Sequence, residues 1–272
     1  MKNAVFISVL FFASLLFSED VIQKVDDGFI NWTEMTVTIT GSGVPDLGIS
    51  NANSAKLSAE KAAKMNVTYR FSKALAKIEL GSGKDLEKHL AEIKDSEFLK
   101  NIERNAKWSE MYLEKQYSDG SVDYIFKFDI KPQLSEIIKK TSAVFALSPV
   151  VTTEVQEPAP AENIKNFLVI DLSGHKMGPV LFPSIETSDG EIIFNITKVK
   201  NEFCKTGGFY RIRNKSDAFL EKLDAKENLL IISPNKIKNR SVVIVSRDDA
   251  LKMKTMLKPE VFSEGRVILS FK

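Results

Sequence analysis

Between Ile30 and Leu80 an alternating segment runs into a glycine-rich turn and then a long helix with a small-residue stripe. In Asn31-Trp32-Thr33-Glu34-Met35-Thr36-Val37-Thr38-Ile39-Thr40, Val37 and Ile39 share one face and Thr36, Thr38 and Thr40 the other. That period of two predicts a strand with one packed and one wetter side. Gly41, Gly43 and Pro45 are expected to end it. From Asn51 to Ile78 the apolar positions Ala55, Ala59, Ala62 or Ala63, Val67, Phe71, Leu75 and Ile78 recur every three or four residues, which predicts one helix. Its first half carries alanine where it meets its neighbour, so its backbone is expected to lie close to the Val37–Ile39 face. Its Phe71 end is expected to fill a wider gap. Gly81-Ser82-Gly83 stops it.

The same reading extends along the chain. Asp85 to Asn105 predicts two short helices or a kinked one, with the break near Asp95-Ser96. Trp108 to Tyr117, Asp119-Gly120 and the alternating Val122, Tyr124, Phe126, Phe128, Ile130 read as a hairpin, because Asp-Gly supplies the positive φ a tight turn needs. A helix from Gln133 to about Phe145 closes a first α+β domain over 21–148, with helices packed on a small, mainly antiparallel sheet. Residues 149–163 are rich in Pro, Ala and Glu and read as an extended linker. A second, strand-rich α+β domain covers 164–272. Its strand candidates are Phe167 to Asp171, Val180 to Ile185, Glu191 to Ile196, Asn228 to Ile232, Val242 to Ser246 and Arg266 to Phe271. Ser246 reads as the N-cap of a helix through Met256.

Residues 1–18 read as a secretory signal. Lys2 precedes an uncharged apolar run from Ala4 to Phe17, and Ser18 is followed by Glu19-Asp20. Cleavage is expected near Ser18, although Leu16 stands where a small residue is preferred; the alternative is an uncleaved anchor. The run is shorter than the roughly 20 residues of a comfortable span, and no later stretch qualifies. With Cys204 the only cysteine, no internal disulfide forms, and no acylated cysteine follows the apolar run. Cys204 reads as a small buried hydrophobe. Net charge is +2, from 38 basic and 36 acidic residues, which excludes a field that would steer nucleic acid. Lys236, Lys238 and Arg240 read as solvated surface. Asn31, Asn66, Asn195, Asn214 and Asn239 open Asn-x-Ser/Thr triplets, a number that a chain of this composition yields by chance.

No residue set assembles a catalytic, cofactor or metal site. Gly41-Ser42-Gly43 sits where a phosphate loop would, but Asp46 replaces the third glycine and Pro45 removes an amide donor. Asp171, Ser173 and His175 share one turn, whereas a triad converges from separate elements. His89, beside Lys88 in a charged helix, reads as surface. Two separated histidines and one cysteine give no zinc spacing, and Asp26-Asp27 and Asp248-Asp249 are too few for a calcium loop. Trp32, Trp108, Tyr112 and Tyr117 are either core or an aromatic binding surface.

Asn31-Trp32-Thr33, Val37 through Pro45, the helix positions Ala55, Ala59, Ala62, Ala63 and Tyr69-Arg70, and the hairpin Tyr117-Ser118-Asp119-Gly120-Ser121-Val122 together resemble a bacterial envelope family. That family is typified by a twenty-kilodalton outer-membrane lipoprotein and is related to the N-terminal domain of flagellar assembly protein T. Asp171-Leu172-Ser173-Gly174, Gly178 through Pro183 and Asp189-Gly190 are similar to segments of its longer members. The resemblance implies an exported, non-enzymatic cell-envelope protein without cofactor. Its partner would be an envelope protein, of the flagellar basal body or the outer membrane. The lipoproteins' anchoring cysteine is missing, so lipid attachment does not carry over. Two rival readings remain: an envelope hydrolase with unmarked carboxylates, and a cell-wall or small-ligand binding module using exposed aromatics, which predicts Trp32 or Trp108 exposed beside a groove.

Overall fold

The computed structural model describes residues 20–145, 164–200, 203, 210–224 and 228–272. The signal segment 1–18, the linker 149–163 and Cys204 lie outside them. The chain is α+β. An N-terminal unit packs helices on an antiparallel sheet, and a strand-rich C-terminal unit follows.

The N-terminal sheet begins with β1 (Ile22–Val25), β2 (Gly28–Asn31) and β3 (Thr36–Gly43) and is completed by β6 (Trp108–Gln116) and β7 (Val122–Asp129), in the order β1-β2-β3-β7-β6. The segment predicted as one strand over Asn31 to Thr40 is divided. Asn31 ends β2, and its side-chain oxygen accepts from the amides of Thr33 and Glu34, both at 3.0 Å. Met35, at φ 60°, completes the reversal. The predicted stop at Gly41 is also displaced, because β3 continues through Gly43 with Gly41 and Gly43 on the buried face.

The reason is the helix above. Helix α1 (Ala52–Ala76) is capped by Asn51, whose side chain accepts from the amides of Asn53 and Ser54. It lies so close to β3 that a Cβ on Gly43 would stand 1.8 Å from the Ala59 carbonyl oxygen. A Cβ on Gly41 would stand 3.0 Å from that of Ala63. The glycines therefore mark close approach of two backbones within a continuing strand. Ala59, Ala63, Val37 and Ile39 are fully buried, as the small-residue stripe predicts. At the far end Phe71 stacks on Phe128 of β7, with ring centroids 4.2 Å apart.

After α1 come a two-stranded ribbon, β4 (Glu79–Gly81) with β5 (Lys84–Asp85), and helices α2 (Leu86–Glu92) and α3 (Glu97–Asn105). The helices separate at the predicted Asp95-Ser96 break. The β6–β7 hairpin turns at Gly120, φ +85°. Helix α4 (Lys131–Phe145) ends the unit.

The C-terminal unit contains two four-stranded sheets. One is wholly parallel, in the order β11 (Arg211–Asn214), β15 (Val267–Phe271), β8 (Phe167–Asp171), β12 (Leu229–Ile232). The other joins β10 (Ile192–Phe194), β9 (Ser184–Thr187), β14 (Val242–Val245) and β13 (Lys236–Lys238). Among its described helices are α5 (Ala218–Asp224), α6 (Arg247–Met256, capped by Ser246 as predicted) and α7 (Glu260–Ser263).

Of the strand predicted from Val180 to Ile185 only the end forms. Leu181 and Phe182 instead donate their amides to the carbonyls of Glu79 (2.7 Å) and Leu80 (2.8 Å) in the N-terminal unit. Ser82 donates its amide to Ser241 Oγ at 2.8 Å, and Arg240 pairs with Glu79 at 3.3 Å. One buried apolar cluster runs from Val37 and Phe71 through Leu80 and Val180 to Val245, so the units share a core.

Replacing Ala59 or Ala63 by Leu is expected to destabilise the protein by roughly 1–3 kcal/mol through overpacking. Gly43→Ala is expected to do the same, because backbone stands in the way of the new methyl group. Urea unfolding midpoints provide the test, and an unchanged midpoint in all three variants overturns the packing described.

Candidate functional site

The tryptophans are structural. Trp32 is 1% exposed and donates its indole N–H to Gln23 Oε1 at 2.9 Å. Trp108 is half-buried, edge-on to Phe126 with centroids 5.2 Å apart. Tyr112 and Tyr117 remain on the surface, and Tyr117 donates its hydroxyl to Asp123 at 2.6 Å. Trp32 is therefore closed to a ligand, while Trp108 keeps a partly exposed edge and Tyr112 and Tyr117 stay at the surface.

The Asp171-Ser173-His175 stretch is a turn at the C-terminal end of β8. Asp171 accepts from the Ser173 amide at 3.0 Å and from Lys215 Nζ at 2.8 Å, while the His175 amide donates to the Leu172 carbonyl. Burial pushes the Asp171 carboxyl up, but Lys215 and the Ser173 donors outweigh it and hold it below the ordinary range. This carboxylate secures a turn. Gly43 and Gly41 face α1 and have no room for a phosphate. Among the described residues no group of three or more His, Cys, Asp and Glu is placed to hold a metal ion.

Two further surface features stand out among the described residues. The first is a groove of about 310 Å³ between β1–β2, β3 and the C-terminal half of α1, lined by Asp26, Asp27, Tyr69, Arg70, Lys73, Lys77 and Glu87 among others. Its charges compensate one another. Lys77 bonds Glu87 at 2.8 Å, Lys73 lies 3.8 Å from the same carboxylate, and Arg70 is 3.5 Å from Asp27. The hydrogen bond from Lys77 and its charge hold Glu87 below its ordinary value, and Glu87 raises Lys77 in return. A carboxylate held ionised in this way is a poor general acid.

The second is the solvent side of α1 with the loop before it. Leu57, Lys61, Met65, Tyr69 and Lys73 follow one another at intervals of four, a ridge that winds by about 40° per step and brings Tyr69 and Lys73 to the rim of the groove. Leu57 is 65% exposed, Met65 72% and Tyr69 52%. Beside their N-terminal end the loop presents Val44 and Leu47, the latter 97% exposed. The loop is fastened to α1 by the Asp46 amide, which donates to Ser58 Oγ at 2.9 Å. The helix carries Lys56, Lys61, Lys64, Arg70 and Lys73 against Glu60 alone, a net of +4 in a chain whose total is +2. Glu60 is engaged by Lys64, whose hydrogen bond holds its carboxyl low. Lys56 and Lys61 have no ion-pair partner among the described residues. The spacing of these residues is visible in the sequence, but which side of the helix meets solvent is set by the sheet beneath it.

Residues 167–271 match the family model described as Treponema pallidum Tp0624, second domain. The match lies within the C-terminal unit and covers less than half of the chain. Its label names a protein and a position in it. No curated protein matches the chain.

His89 is a correction to the surface position expected for it. It lies in α2, is 2% exposed, and burial lowers its pKa below 6.5; Glu92 opposes the shift while Lys84 and Lys140 reinforce it. The unfolded chain therefore takes up this proton more readily than the folded one. The associated stability is complete above about 6.5 and is lost as pH falls through the lower folded value. The lowered carboxylates act separately, below their ordinary values of 4.5 and 3.8. Urea midpoints at pH 7, 6 and 5 are expected to decline in the natural protein and to decline less in His89→Gln. Equal slopes would exclude His89 as the cause.

Proposed function

We propose that this chain is a non-enzymatic exported cell-envelope protein that acts by binding another envelope component, in flagellar or outer-membrane assembly. The observation that carries the reading is the line of exposed apolar side chains on α1 and its loop. Large aliphatic groups held at 65–97% exposure on α1 and the loop before it are costly to leave in water, and contiguous ones mark interaction sites. The envelope placement draws support from the apolar run at Ala4 to Phe17 and from the resemblance of residues 21–148 to the lipoprotein and flagellar families. The groove supports binding rather than catalysis, because its carboxylates are matched by cations. No helix among the described residues is long and apolar enough to cross a membrane.

The test is co-purification of the tagged full chain from the native host's envelope fraction after mild crosslinking, read by mass spectrometry. The natural protein and the double variant Leu57→Ser with Met65→Ser are compared. Both substitutions are at the surface and leave the buried stripe intact. The expected result is enrichment of defined basal-body or outer-membrane components, reduced at least severalfold by the variant. Identical recovery with both proteins overturns the role of the face. Turnover of a cell-wall substrate that Glu87→Gln abolishes overturns the non-enzymatic reading.

A further inference from the structure

We infer that the component bound by the α1 face is an anionic lipid surface, which α1 meets side-on. The inference rests on the binding reading above and specifies its partner.

Three observations point to lipid. First, the apolar groups sit on an exposed loop and along a helix side, and at the C-terminal end of the line Tyr69 reaches the rim of the groove. Leu47, at 97% exposure, projects from its loop. Such groups are suited to entering the soft boundary between headgroups and acyl chains. Second, lysines are interleaved with the apolar residues along the same line. Lys61 falls between Leu57 and Met65, Lys73 follows Tyr69, and Lys56 and Lys64 flank them. Lysine stems can lie along apolar surface while their ammonium groups reach headgroup phosphates. Third, Lys56 and Lys61 stand beside Leu57 and Met65 with no ion-pair partner among the described residues, whereas Lys64, Arg70 and Lys73 are matched by Glu60, Asp27 and Glu87. The uncompensated positive charge of α1 therefore lies among the apolar residues at the N-terminal end of the line, where an anionic surface would attract it. Tyr69 sits at the basic end of the line, with Lys73 Nζ 5.6 Å from its ring centroid. An apolar ring with a polar tip favours the same boundary zone.

Asp46 and Ser58 tie the loop to the helix, and Gly43 against Ala59 seats the helix on the sheet, so Leu47, Leu57 and Met65 are carried on elements fastened to one another.

The experiment uses the full chain with one added tryptophan, either Leu57→Trp on the face or Leu251→Trp on α6, where the residue is 55% exposed on the other unit. Each protein is mixed with phosphatidylglycerol–phosphatidylcholine vesicles or with phosphatidylcholine vesicles alone. The apolar N-terminal run is common to all samples, so the position-specific signal reports the face. A blue shift and quenching by brominated lipid are expected at Leu57→Trp with anionic vesicles only, and neither at Leu251→Trp. Adding Lys56→Glu and Lys61→Glu is expected to weaken that response at least about tenfold, as is high salt. A vesicle-bound protein with no shift at Leu57→Trp overturns the inference, as does an equal shift with neutral vesicles. If vesicles give no response while crosslinking still recovers a defined protein through this face, the partner is a protein: the lipid inference fails and the binding reading stands.

Discussion

The close approach of α1 to β3 sets the geometry of the N-terminal unit. Two backbones meet where Gly41 and Gly43 lie beneath Ala59 and Ala63, with no side chain between them. At the other end of the helix Phe71 and Phe128 separate the layers by the thickness of stacked rings. The helix is thus inclined to the sheet, tight at its N-terminal end and raised at its C-terminal end. The wedge opened at the raised end holds the large apolar side chains of the core, including Leu75, Ile78 and Leu80. That core continues into the C-terminal unit, where Leu181 and Phe182 bond the β4 backbone. A side chain at Gly43 would lift the helix and disturb the seam as well as the local contact.

The parts that were legible in sequence depend on local chemistry. The alanine stripe, the Asp119-Gly120 turn, the Asn51 and Ser246 caps and the break at Asp95-Ser96 each specify a conformation within a few residues. The parts that were not legible depend on partners far along the chain. The glycines after Ile39 read as strand breakers because the helix that needs them was not visible as their neighbour. The Asn31–Thr40 segment has a strand's alternation, yet the Asn31 side chain satisfies two amides and turns the chain back. Leu181 and Phe182 have strand composition, but their hydrogen bonds go to a ribbon about a hundred residues earlier. The parallel sheet could not be foreseen, since its neighbours β15 and β8 come from opposite ends of the unit.

The same division holds for function. Sequence reasoning about chemistry rests on residue types and spacing, and the structure gives several of the suggestive groups structural surroundings. Asp171 holds a turn, Trp32 fills a core, and His89 is buried in α2. The face proposed to bind requires knowledge of which side of α1 is covered. In the sequence Leu57, Met65 and Tyr69 are indistinguishable from core positions of a helix already rich in apolar residues. Only when Ala59, Ala63, Val67 and Phe71 are placed against the sheet does the other line become solvent-facing.

Two surfaces of the same helix therefore contrast in physical character. On the groove side, Arg70, Lys73 and Lys77 each find a carboxylate, and the resulting pairs, being exposed, contribute little to stability individually. On the open side, Lys56 and Lys61 stand without such partners among aliphatic groups. Charge left uncompensated beside exposed apolar surface gains nothing for the isolated molecule. Both become favourable together when an anionic, partly apolar boundary takes the place of water. The tight seating of α1 on β3 matters here too, because residues that must enter such a boundary together lose less freedom on binding when their scaffold is already rigid.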